Sequence, residues 1–145
     1  MPDVEILAGN AEVTARLEAL VKRLSDADLA RDLGGGWTVA VALAHLAFWD
    51  RRIAYVLTRW TNGGDPHVEL DDDVVNSALE ELHKAVEPRA AARLAVESAK
   101  SADAAIAAVP DVIAAQLIAE DHGYLLRRSG HRGEHIEQIE AGLRG

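Results

Sequence analysis

Six histidines occur in the chain, at positions 45, 67, 83, 122, 131 and 135, and two of them are spaced for chemistry. His131 and His135 stand four residues apart in the run HRGEH. On a helix that spacing puts both rings on one face, one turn apart, within reach of a common ion. Neutral imidazole is a ligand for zinc and nickel, and two rings leave room for a third from another helix. On a helical wheel the pair lies at the edge of the apolar arc of Leu125, Ile136, Ile139 and Leu143, so it points into a cleft between helices. Spacing alone does not separate a metal-binding pair from a merely packed or exposed one. His45 is the natural third member. It sits among Val41, Ala42, Leu46 and Trp49, where an unpartnered imidazole is costly and must find a hydrogen bond or a metal. A bond to a backbone carbonyl or a carboxylate remains open as the alternative.

Neighbouring polar residues divide by position. Glu134 faces away from the two rings and is not expected as a ligand. Asp50, five residues past His45 and turned off its face, reads as a helix cap or a surface ion pair. Arg127 and Arg128 lie one turn before His131 and can grip a carboxylate or phosphate, although such doublets commonly lie in a solvated face. Tyr124 shares the histidine stripe and can donate a proton or simply pack. Trp37, Trp49 and Trp60 read as core or pocket wall, and His67, His83 and His122 as surface residues.

The elements that must position these groups are helical. A first helix is expected over about 11–24, with Asn10 as its N-cap and Val13, Leu17, Leu20, Val21 and Leu24 at helical spacing. SDAD then breaks the pattern, and LARDLGGG closes a short turn on Gly34, Gly35 and Gly36. Thr38 caps a second helix over 39–61, apolar nearly all round in its first half and therefore central, with Asn62-Gly63-Gly64 as its stop. Residues 62–71 form a loop, and Asp71, Asp72 or Asp73 caps a third helix beginning near Val74. Pro88 restarts the chain as a long helix to about Ala108, ended by Pro110. Some helix is expected around 112–120, and a final helix over about 124–143. Gly130 and Gly133 lie inside that last helix, each at a cost of up to ~1 kcal/mol against alanine, which leaves the local helix loose or closely packed. Four principal helices with one long connection make a four-helix bundle, all-α.

Length and composition set the outer limits. The chain has 145 residues, which fits one domain over 1–145. It is 49% hydrophobic and only 4% aromatic, rich in alanine, leucine and valine, which favours helix over sheet. It has no cysteine, which excludes disulfides, thiolate metal sites and a cysteine nucleophile. The start, MPDVEILAGN, has neither the basic flank nor the apolar core of a signal peptide, so a cytoplasmic location is expected. No run approaches the ~18 uninterrupted apolar residues of a membrane helix. A net charge of −9 with no basic cluster beyond a doublet argues against nucleic acid as a partner.

Two segments together carry a family resemblance. WTVAVALAHLAFWDRR, residues 37–52, resembles the second helix of DinB-like proteins, where a Trp-Ser/Thr start leads through an apolar turn to a histidine, then Leu and an aromatic-acid pair. HRGEHIEQIEAGL, residues 131–143, resembles the family's last helix, and Asn76 after an acidic loop is also where the family often carries an Asn. The resemblance implies an up-down-down-up four-helix bundle. It also implies zinc or nickel held by His45, His131 and His135, with a coordination position open to water or substrate. Related proteins include S-transferases that use mycothiol or bacillithiol and a mycothiol-dependent maleylpyruvate isomerase. A metal-dependent, thiol-using enzyme acting on a small electrophile is therefore expected, with Arg128 and Tyr124 as the residues that would meet the thiol. A non-catalytic, metal-bound or ligand-sequestering bundle is the alternative. The alanine-rich, lysine-poor composition fits a GC-rich bacterial genome and so favours mycothiol. Dimerisation through exposed helix faces is common in the family.

Overall fold

The computed structural model describes residues 2–64 and 72–145. The first helix, α1, runs over Val4–Arg23, starting about two turns before the expected position. Asp3 is its cap, its carboxylate accepting from the Glu5 amide at 2.8 Å. Asn10 is thus not the cap of this helix. It lies inside α1, almost fully buried. A short helix, α2 (Asp26–Leu29), follows with a reciprocal capping box between Ser25 and Asp28. The glycine run then makes a small hairpin of β1 (Asp32–Gly34) and β2 (Trp37–Thr38), which the helical pattern did not foretell. Its turn needs left-handed backbone at Gly34, Gly35 and Gly36, where φ is 92°, 63° and 82°.

The central helix, α3, spans Val39–Thr61 as expected, with the Thr38 hydroxyl accepting from the Val41 amide at 3.1 Å. Helix α4 covers Asp72–Ala85, so Asp72 and Asp73 form its first turn rather than preceding it. Asp71, the other candidate cap, and His67 lie outside the described residues, as does most of the expected loop. Helix α5 is Pro88–Ala107, with proline at its first position and Glu87 accepting from the Arg89 and Ala90 amides. Pro110 then opens α6 (Asp111–Ala119), and the α5 and α6 axes meet at 102°. The final helix, α7, is Ser129–Arg144 and not 124–143. Residues Gly123–Leu125 form a separate 3₁₀ turn, with Leu125 and Leu126 buried in the core. Among the described residues no single helix is long and apolar enough to cross a membrane.

Four helices make the bundle: α3 packs on α5 and α7, and α1 closes the other side on α5 and α7. Its interior holds two apolar clusters. Leu17, Leu20, Leu43, Leu46, Ile136 and Ile139 meet the alanines of α5 in one. Ile53, Leu57, Trp60, Ile106, Leu117 and Leu126 fill the other. The alanine face of α5 lets α3 approach closely. Between the clusters runs a polar layer contributed by all four helices. Asp50 and Arg132 are wholly buried in it. Arg132 Nε donates to Asp50 Oδ2 at 2.8 Å, and its Nη1 donates to Asp103 and to the Thr14 hydroxyl. Arg128 Nε donates to the second Asp50 oxygen at 2.9 Å. Asp50 is therefore no surface ion pair or cap. Two arginines and several further acceptors compensate a burial that would otherwise be prohibitive.

Asn10 belongs to this layer and performs its capping elsewhere. Its Oδ1 accepts from the amides of Arg128 and Ser129, and its Nδ2 donates to the Leu126 carbonyl. The start of α7 has no cap from its own side chains. Asn10 supplies that cap from α1, satisfying donors that a helix start leaves free.

Candidate metal centre

His45 projects from the buried half of α3, and His131 and His135 from successive turns of α7. One ring nitrogen from each lies within 4.8 Å of the other two. His45 Nε2 and His131 Nε2 face each other at 3.2 Å. Two ligands at 2.0–2.1 Å from a tetrahedral ion stand about 3.3 Å apart, so this pair already has the spacing of one coordination sphere. Trp37 covers the cluster, stacked on His135 with ring centroids 6.1 Å apart.

The alternative of a His45 satisfied by a carbonyl or carboxylate fails. Among the described residues its side chain has His131 as its only hydrogen-bond partner, and its buried Nδ1 has none. Burial pushes both His45 and His131 down to about 3, with the neighbouring imidazoles and Arg128 adding to the effect. His135 is lowered by burial as well. The three rings are accordingly neutral near pH 7, the state in which imidazole ligates. His135 Nδ1 pairs with Gln138 Oε1 at 2.9 Å, which places the proton on Nδ1 and leaves Nε2 bare. Nitrogen donors of this kind, in this number, fit a zinc- or nickel-type divalent ion.

A cavity of about 470 Å³ opens beside the cluster, with His45 and His131 in its wall. Trp49 forms another part, held by its indole N–H to Asn76 Oδ1 at 2.9 Å, and Arg52 lies over its ring at 5.7 Å. Thus Trp49 is pocket wall and Trp60 is core. Glu134 is exposed and lines the cavity outside the histidine cluster. Arg127 is exposed at the rim, whereas Arg128 is buried and committed to Asp50 and to His131. The solvated-face reading therefore fails for Arg128. Tyr124 also lines the cavity, but from the 3₁₀ turn and not from the histidine helix, and it is 55% exposed.

His83 is not a surface residue. It is 8% exposed on α4, its ring centroid 6.3 Å from that of His45. Its position three after Glu80 and one after Leu82 carried no signal, because it depends on how α4 lies over α3. His122 is half-buried near Tyr124, away from the cluster. Gly130 and Gly133 are not demanded by close packing, since a Cβ at either would meet nothing within 4 Å.

The model of the DinB superfamily matches residues 10–139, a span that holds all three histidines and the polar layer. No curated protein and no solved structure matches the chain.

Proposed function

We propose that this chain, which belongs to the DinB superfamily, is a metal-dependent enzyme joining a low-molecular-weight thiol to a small electrophile. The observation that carries the reading is the convergence of ring nitrogens of His45, His131 and His135 within 4.8 Å, beside a cavity of small-molecule size that has His45 and His131 in its wall. His45, His131 and His135 would hold the ion, zinc or nickel by donor type. Three protein ligands are the number typical of sites that keep a position for substrate. The ion supplies Lewis acidity that lowers the pKa of a thiol, so that thiolate persists at neutral pH.

The chain's own residues do the rest. Trp37 shields the histidines on one side, which keeps the donors dry and strengthens charge interactions among them. Gln138 fixes the His135 ring. Trp49, pinned by Asn76, offers a flat apolar wall to an electrophile, and the exposed Tyr124 hydroxyl can reach a ligand at the mouth. The S-transferases that the sequence resembles use mycothiol or bacillithiol, and the alanine-rich, lysine-poor composition makes mycothiol the first candidate here. In the reaction the thiol S–H proton is released to solvent, a sulfur–carbon bond forms, and the leaving group departs as an anion with the electron pair of its bond to that carbon.

The test is conjugate formation. Zinc- or nickel-loaded protein is incubated with mycothiol or a simpler thiol and a chlorinated nitroaromatic, and thioether and chloride are measured. Thioether in equal amount to chloride, above the protein-free rate and lost in His135→Ala, supports the reading. Metal-loaded protein that forms no conjugate with any thiol or electrophile offered overturns the enzymatic part and leaves a metal-binding bundle.

A further inference from the structure

The two histidines of α7 are prepared in opposite senses. His135 has an acceptor, Gln138 Oε1, beside its Nδ1. His131 has a donor: Arg128 Nη2 stands 2.9 Å from its Nδ1. A guanidinium carries only N–H donors and stays charged, so Nδ1 of His131 must be the acceptor. The neutral ring then bears its proton on Nε2, aimed at His45 Nε2. Ligation through Nε2 requires the reverse arrangement, with that nitrogen bare and the proton on Nδ1. The Arg128 contact and a metal at Nε2 are therefore mutually exclusive for a neutral ring.

We infer that metal loading expels the Arg128 guanidinium from His131, and that its freed donors turn to the cavity to hold an oxyanionic group, such as a carboxylate, on the ligand. The inference rests on the metal reading above. Three observations make the move feasible. Arg128 already lines the cavity. Its Nη1 has no hydrogen bond to the described residues, and its Nε bond to Asp50 can persist as a pivot. Asp50 also keeps both bonds from Arg132, so Nη2 is not needed to neutralise it. The proton count is unchanged, because the proton leaving His131 Nε2 reappears on Nδ1. A guanidinium with both Nη groups free offers a carboxylate-like group the paired donors it binds best. An anion there offsets repulsion between the dication and Arg128, which couples anion binding to metal binding.

The direct test is long-range ¹H–¹⁵N correlation of the histidine rings in wild-type protein, without metal and with one equivalent of zinc. His131 is expected to carry its proton on Nε2 without zinc and on Nδ1 with it. Zinc uptake with the proton still on Nε2, or with neither nitrogen protonated, overturns this inference while leaving the metal reading intact. Failure to take up zinc removes both. Arg128→Gln gives a second readout, since glutamine offers an acceptor to Nδ1–H. Its zinc affinity should equal or exceed that of wild type. A loss of about 10–100-fold, the usual effect of removing a group that supports a metal ligand, overturns the inference. For the anion, inorganic sulfate is titrated by calorimetry. Arg128→Gln should weaken sulfate binding by about fivefold or more in zinc-loaded protein, and by less without zinc. An equal effect in both states, or none in either, contradicts the coupling.

Discussion

His45 and His131 are held as neutral imidazoles by burial, and this has a consequence for stability in the absence of metal. Their folded-state values of about 3 lie below the ordinary 6.5, so between those limits the unfolded chain binds more protons. Stability is therefore lost as pH falls from about 6.5 towards 3. The upper part of that window lies above the range where carboxylates titrate. The melting temperature of metal-free protein should fall from pH 6.5 to 5, and His45→Gln should flatten the slope. A slope unchanged in that variant would contradict the burial account. At this scale the sequence was partly legible. The histidine trio followed from two separated motifs, but Asp50 and Arg132 were missed as buried groups. The signal existed: Asp50 falls in step with Leu43, Leu46, Ile53 and Leu57, and Arg132 with Ile136 and Ile139. A charge in phase with an apolar stripe is a buried charge, and its partner is sought among other charges in phase.

Helix α7 carries two of the three histidines, yet its start depends on α1. Asn10 accepts from the Arg128 and Ser129 amides and donates to the Leu126 carbonyl, all while 1% exposed. Asn10→Ala should cost about 2 kcal/mol or more in urea unfolding, from the lost cap and the polar groups left unpaired. It should also weaken metal binding, because the register of His131 follows from the start of the helix. A loss below about 0.5 kcal/mol, the size of an ordinary surface change, would contradict the assignment. The central helix was legible to the residue because Thr38 and the Asn-Gly-Gly stop act locally. The starts of α1 and α7 were not. An asparagine before an apolar-periodic run looks like a cap for that run, and nothing local reveals that it caps a helix over a hundred positions away. The glycine hairpin before α3 was read only as a turn, since its two strands are too short to carry an alternating pattern.

Across the whole molecule, a polar layer separates two apolar clusters and ties all four bundle helices together, with the histidine cluster at its edge. Such a layer is a poor source of net stability and a strong source of register, because any slip leaves a charge unpaired. Asp50→Ala strands two buried guanidiniums and should cost about 3–5 kcal/mol. Urea unfolding checks this, and a near-neutral result would mean the layer is not closed as described. The all-helical bundle was legible from composition, helical spacing and loop signals, whereas the layer became visible only once four helices shared one interior. The proposed function requires that this interior hold a metal ion. Its most direct test is elemental analysis by mass spectrometry of protein purified without a histidine tag. Wild type should carry about one zinc or nickel per chain, and His131→Ala and His135→Ala variants that remain folded should lose it. Metal-free wild-type protein that takes up neither ion on addition, or variants that retain a full equivalent, would contradict it.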